Sequence, residues 1–260
     1  MILRESTTMR LFGNIGTLLA AVVIVGLSAC GNAPKMPVMG ERTVFDVDVE
    51  EISGICLNAD KTALLAVGDQ GVVKQISFTG EVTDVLNFYA DMEGVTLDPV
   101  TGDMYIAAEW DQSVLKLDAP DYQNCTMQFY VQEAVDNEYK NSGLEGISYY
   151  KDDIFFIGSQ WDANLWQYKK DGTMLSKITL SHFADEIAGL CYDPVADWLW
   201  VIDSNLVKIY ICTVDGELLA TYDLGEIENA ESICVDRERN CVWVGSDEDS
   251  PKLYKYSFEF

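Results

Sequence analysis

After residue 42 the chain alternates short apolar runs with polar turns, and the runs are dominated by Val, Ile, Leu, Tyr, Phe and Trp. Runs of this length and composition, bounded by Asp, Asn, Gly and Pro, predict β-strands. They fall into a repeat. Ser53-Gly54-Ile55, Glu93-Gly94-Val95, Glu145-Gly146-Ile147, Ala188-Gly189-Leu190 and Glu231-Ser232-Ile233 each open a strand, and the central residue recurs at spacings of 40, 52, 43 and 43. A turn follows each marker. Second strands are predicted at 63–67, 104–108, 154–157, 198–202 and 241–244, and third strands at 72–78, 114–117, 165–168, 206–212 and 252–258. Fourth strands follow at 82–88, 127–131, 175–180 and 218–224.

A period near 40 built from four short strands is the sequence signature of a β-propeller blade. The last repeat ends at Phe260 after three strands, while an unassigned strand at 43–48 precedes the first. Each defect supplies what the other lacks. The fold expected is all-β, a five-bladed propeller whose last blade is completed by the N-terminal strand, so that no sheet edge is left open. The long interval between the second and third markers has only 121–142 in excess, too short for a further four-stranded blade.

The first thirty residues follow another pattern. Arg4 and Arg10 precede the apolar segment Leu11 to Leu27, and Leu27-Ser28-Ala29-Cys30 closes it. A basic start, an apolar stretch too short for a comfortable membrane span and small residues before a Cys predict a signal peptide with lipid attachment at Cys30. Glu5 is unusual in such a leader, and Met9 offers an alternative start. The expected organisation is a leader over 1–30, a linker over 31–42 and a propeller over 43–260. The implied location is the bacterial cell envelope. Gly31 after the lipidated Cys favours the outer membrane.

Charge narrows the partners. The chain has 17 Lys+Arg against 43 Asp+Glu, a net charge of −26, and without Arg4, Arg10 and Glu5 the exported part reaches −27. Such a surface repels phosphate, so nucleic acid is not expected as a partner. Partners expected instead are the membrane, through the anchor, and an envelope protein or small ligand. Six Cys remain besides Cys30, and Cys56, Cys191 and Cys234 occupy one repeat position where a small buried residue suits an inner strand. Equivalent positions in different blades are not expected to bridge.

Candidate chemistry lies where the innermost strands begin and the second strands end, because both sites face the same mouth of the central channel. The residue before each marker is Ser53, Glu93, Glu145, Ala188 and Glu231; two residues earlier stand Glu51, Asp91, Gly143, Glu186 and Asn229. The second strands end at Asp69, Glu109, Gln160, Asp203 and Asp247. Acids so concentrated repel one another unless protonated, bonded to amides or neutralised by a cation. Oxygen-only ligands favour a hard cation, calcium before magnesium. The candidate ligands are Glu93, Glu145, Glu231, Asp203, Asp69, Glu109 and Asp247. The alternative is that these acids hydrogen-bond to neighbouring blades and hold the ring together.

The markers, with Val67-Gly68-Asp69 and Ala108-Glu109-Trp110 after the first two, resemble the SdiA-regulated family of bacterial envelope propellers over residues 44–260. The resemblance implies five blades and a calcium site at the channel. A more distant likeness is to the senescence-marker/gluconolactonase propellers, whose metal-binding Glu opens an inner strand as Glu93, Glu145 and Glu231 do. Asp203 fits one further ligand position of that family, but no Asn matches.

Two functions follow. One is a lipid-tethered binding module with calcium at an acidic mouth; the other is a calcium-dependent hydrolase of lactones, esters or glycosides using the same acids. No residue is singled out as catalytic. His182, the single histidine, sits in the connection into the fourth inner strand. Trp110 and Trp161 occupy equivalent loops, suited either to stacking on a sugar or peptide or to packing between blades. The connection 132–142 is expected over the same face.

Overall fold

A computed structural model describes residues 35–136, 143–248 and 250–260. The leader, Cys30, the start of the linker, residues 137–142 of the long connection and residue 249 lie outside the described residues.

The chain opens with β1 (Val38–Asp46). The first blade follows as β2 (Ile52–Leu57), β3 (Ala63–Gly68), β4 (Val72–Ser77) and β5 (Val82–Asn87). The second is β6 (Met92–Leu97), β7 (Met104–Ala108), β8 (Ser113–Leu117) and β9 (Cys125–Tyr130), and a short helix α1 (Gln132–Asp136) leads onward. The third is β10 (Leu144–Tyr149), β11 (Ile154–Ser159), β12 (Asn164–Lys169) and β13 (Met174–Thr179). The fourth is β14 (Gly189–Asp193), β15 (Trp198–Asp203), β16 (Lys208–Thr213) and β17 (Leu218–Asp223). The fifth contributes β18 (Ala230–Asp236), β19 (Cys241–Ser246) and β20 (Lys252–Glu259), and β1 pairs antiparallel with β20 to complete it. The protein is a five-bladed β-propeller.

Burial explains the strand composition. Every residue of β3, β7, β15 and β19 is buried, since the second strand of each blade is covered on both faces by adjacent blades. Alternating polarity is absent there for that reason. The fourth strands, at the rim, are largely exposed or half-buried. Apolar side chains interlock between sheets: Trp200 packs with Val242, Val244 and Phe258 between the fourth and fifth blades, and Trp243 with Ile52 and Leu64 between the fifth and first.

The marker glycines are required by close approach. A Cβ on Gly94 would lie 2.3 Å from the Glu145 carbonyl oxygen, and one on Gly189 would lie 2.5 Å from that of Glu231. Gly54 and Gly146 meet their neighbours' backbones at 2.8 and 2.7 Å in the same way. At these four positions the inner strands approach too closely for a Cβ, while the fifth strand keeps the small, buried Ser232 there.

Two residues further along, side chains stitch the blades. Thr96 Oγ1 accepts from the Tyr149 N–H at 2.9 Å, Ser148 Oγ from the Tyr192 N–H at 2.8 Å, and Cys191 Sγ from the Val235 N–H at 3.3 Å. Cys191 therefore acts as an acceptor, a role that reading it only as a small apolar filler misses. All six described cysteines are free thiols.

The closing strand begins at Val38, earlier than the predicted 43, and ends at Asp46. A register shift between Met39 and Arg42 carries the extra length, with Gly40 making room for the Ser257 side chain 2.5 Å from where a Cβ would sit. Unpaired backbone groups of β20 recruit these residues, although their own pattern does not alternate.

Candidate functional site

Local sheet geometry gathers the acids at the mouth. In the second blade, Met92 pairs with Ala108, and Gly94 pairs with Ala107, so Glu93 is the extra residue of a β-bulge. A bulge re-aims the side chain it carries. The Glu109 N–H then donates to the Asp91 carbonyl at 3.0 Å, which sets Asp91 and Glu109 side by side. One carboxylate oxygen from each of Asp91, Glu93 and Glu109 lies within 4.8 Å of the others. The first, third and fifth blades have register shifts at the same place, carrying Ser53, Glu145 and Glu231. In the fourth blade the ladder starts at Gly189 without such a shift.

The electrostatics follow from burial and mutual repulsion. Glu93 is pushed up to about 9 by burial, then by Asp91, Glu109, Asp69 and Glu231. Glu231 rises to about 8 through burial and then Asp247 and Asp69. Asp69 rises to about 7 through burial, a hydrogen bond with Glu51 and the charges around it. Glu145, buried at 6% exposure, is raised well above the carboxylate range by burial and then by Glu93, Glu109, Glu231 and Glu186. Burial also raises Glu109, against the lowering effect of the Gly143 N–H, which donates to its Oε1 at 2.8 Å. Asp91 is raised by burial, although a hydrogen bond with Glu93 opposes the shift. Asp69 Oδ1 is buried without a hydrogen-bond partner.

The seven candidate ligands therefore separate. Glu93 and Glu109 join Asp91 in one cluster; Asp69, Glu145 and Glu231 interact with it electrostatically from neighbouring blades. Asp247 lies near Asp69 and Glu231, and its N–H donates to the Asn229 carbonyl at 2.9 Å. Asp203 is different. Its Oδ1 accepts from the Leu206 N–H and its Oδ2 from the Asp185 N–H, both at 2.8 Å, and it is fully buried. Glu186 likewise accepts from the Asn205 N–H at 2.9 Å. The fourth-blade acids thus tie down backbone of their own blade and its entry segment, and not the neighbouring blades that the structural alternative expects. Asp91 was legible as a rim residue, but its place in the cluster depends on the bulge.

Below the mouth the channel is narrow, about 180 Å³ including its open ends, and Gly54, Gly94, Gly146 and Gly189 help to line it. Around the mouth, Trp161 is half-buried with Lys177 Nζ 5.9 Å from its ring, whereas Trp110 is 55% exposed. Trp110 stands against Tyr89, itself 89% exposed, with ring centroids 4.6 Å apart. Tyr89 had no signal in the repeat. His182 is exposed and meets Phe183 edge-on at 4.7 Å.

Solved propellers share the fold. A glutaminyl cyclase from Myxococcus xanthus superposes with a TM-score of 0.62 at 11% identity, over 86% of this chain and 96% of that one. A gluconolactonase from Xanthomonas campestris gives 0.55 at 12% identity, over 81% and 87%. A chain of a nidogen/laminin complex gives 0.54 at 12% identity, over 80% and 85%. At these identities the likeness extends to the fold alone. No curated protein matches the chain in sequence. The family model described as SdiA-regulated matches residues 36–160 and 162–259, nearly the whole described propeller, and the chain belongs to that family.

Proposed function

We propose that the protein is a binding propeller whose channel mouth holds a cation, with calcium the ion that suits it. The observation that carries this reading is the close grouping of Asp91, Glu93 and Glu109 within 4.8 Å, with none of the three ion-paired to a Lys or Arg among the described residues. Three carboxylate oxygens within 4.8 Å of one another can turn onto one hard cation, and calcium tolerates the irregular, carboxylate-rich coordination that such a cluster offers better than magnesium does. Asp91, Glu93 and Glu109 would bind it directly, and the unpartnered Asp69 Oδ1 and the Glu145 carboxyl lie near enough to add to the negative field. The leader and Cys30 extend the reading to a propeller tethered by lipid at the envelope, in the outer membrane.

Calorimetric titration of the full chain in detergent with calcium, and then with magnesium, tests the proposal. Calcium binding tighter than magnesium is expected; heats no larger than dilution for both ions would overturn it.

A second reading, a calcium-assisted hydrolase, is favoured by one feature: burial and the neighbouring acids hold Glu145, outside the Asp91–Glu93–Glu109 cluster, well above the carboxylate range, so that it can keep a proton for a leaving group. Chelator-sensitive turnover of lactones or aryl esters, abolished by Glu145→Gln, would establish it in place of the binding role.

A further inference from the structure

Two exposed aromatic side chains belong to the chain segments that form the acid cluster, and a metal ion makes no use of either. Tyr89 lies two residues before Asp91 and Trp110 directly follows Glu109, so the chain segments that carry two of the three clustered carboxylates also carry the rings. The rings touch, 4.6 Å between centroids at an angle of 58°, yet they remain 89% and 55% exposed. Packing between blades accounts for Trp166, Trp200 and Trp243, which are fully buried. It does not account for this pair.

Behind the rings the site is uniformly acidic. Glu145, at 6% exposure, has no ion pair or hydrogen bond to its carboxyl among the described residues, and its charge is set against those of Glu93, Glu109, Glu231 and Glu186. Asp69 Oδ1 is buried and unpartnered. A ligand matched to both halves has a positive charge to face the carboxylates and carbon to lie on the rings. Aromatic faces attract cations at their own level, by roughly 1–2 kcal/mol when partly desolvated. A neutral sugar stacks on rings but draws nothing from the acids as charges, whereas a cation favours their ionised forms.

We propose that the mouth recognises an organic ammonium ion, with Tyr89 and Trp110 as its aromatic wall and the carboxylates of Asp91, Glu93 and Glu109 facing its charge. The proposal rests on the mouth being a cation site, and it does not require that the cation be calcium.

Choline is the probe, with its neutral carbon isostere 3,3-dimethylbutan-1-ol and glucose as comparisons, each titrated calorimetrically into the full chain in detergent at about 150 mM salt, where distant surface charge is screened. Choline is expected to bind at least roughly tenfold more tightly than the alcohol. Tyr89→Leu and Trp110→Leu, both at exposed positions and both charge-neutral, should each weaken choline several-fold while leaving the calcium titration and the melting temperature unchanged. Absence of choline binding, equal binding of the alcohol, glucose binding in choline's place, or choline affinity unmoved in both variants would each overturn the proposal. Choline binding without calcium binding would remove calcium and leave the ammonium site; calcium binding without choline would do the reverse.

Discussion

The hydroxyl of Tyr222 donates a hydrogen bond to the carbonyl of Pro37 at 2.6 Å, joining residues 185 positions apart. Tyr222 belongs to the outermost strand of the fourth blade, and Pro37 directly precedes the strand that closes the fifth. Met36 and Met39 pack against the same interblade core. The closure of the ring is therefore anchored before the paired strand proper begins.

Removal of residues up to Lys35 should leave thermal stability unchanged, whereas removal up to Arg42 should lower it. The second deletion takes away part of β1, the Tyr222 bond and both methionines. Tyr222→Phe alone should cost about 1 kcal/mol in urea unfolding, the net worth of one hydrogen bond. A melting temperature insensitive to the longer deletion would show that residues 36–42 do not help to hold the ring shut.

Gly94→Ala should destabilise the protein by about 1–3 kcal/mol, as overpacking does. Its Cβ would sit 2.3 Å from the Glu145 carbonyl and 2.8 Å from the Ile147 nitrogen, both backbone atoms of the neighbouring inner strand. Chemical unfolding measures the cost. A neutral result would mean that the inner strands can move apart.

Thr96→Val keeps the shape but removes the acceptor for the Tyr149 N–H. An amide left without a partner in a buried setting costs about 1–3 kcal/mol. The loss should be insensitive to pH and calcium, which distinguishes stitching residues from the acids of the mouth.

Proton linkage gives the pH dependence its sign. Glu93, Glu231 and Asp69 have folded-state values of about 9, 8 and 7, above ordinary values of 4.5, 4.5 and 3.8. Between those limits the folded protein holds protons that the unfolded chain has released. Their contribution to stability is therefore full below about pH 4 and is lost as pH rises through 7 to 9. In chelator, the melting temperature should fall from pH 6 to pH 9; a rise over that range would contradict the arrangement. Calcium should stabilise more at pH 9 than at pH 6, because protons leave the site as the ion enters. Asp118 and Glu133 have values lowered by hydrogen bonds from Lys116 and Lys177, and they add a separate loss at strongly acid pH.

Glu93→Gln removes the most crowded charge of the cluster. At pH 9 and without metal it should raise the melting temperature, since repulsion is relieved. At the same time it should weaken calcium by at least about tenfold, given that one hard oxygen anion is replaced by an amide. Unchanged calcium affinity would place the ion elsewhere.

The five blades were legible in the sequence because one physical constraint repeats: strands that converge on an axis need a very small residue, and Gly54, Gly94, Gly146, Gly189 and Ser232 mark where. The closing strand was legible by complementarity, a blade with three strands at one end and a strand without a blade at the other. Its start at Val38 was not, because edge pairing is decided by the free backbone of β20 and not by any pattern in residues 38–42. Acids at the mouth could be enumerated from the repeat, yet their division into two kinds could not. The repeat brings Glu93 and Asp203 alike to the mouth, one at the start of an inner strand and one at the end of a second strand. Only the bulge at Glu93 and the amides of Asp185 and Leu206 around Asp203 make one carboxyl crowded and the other satisfied. The meeting of Tyr89 with Trp110 is likewise a matter of strand ends brought together, since both rings lie just outside the strands whose periodicity the sequence displays. Periodicity records what every blade must do; the sites where blades differ are set by contacts between residues that the chain keeps far apart.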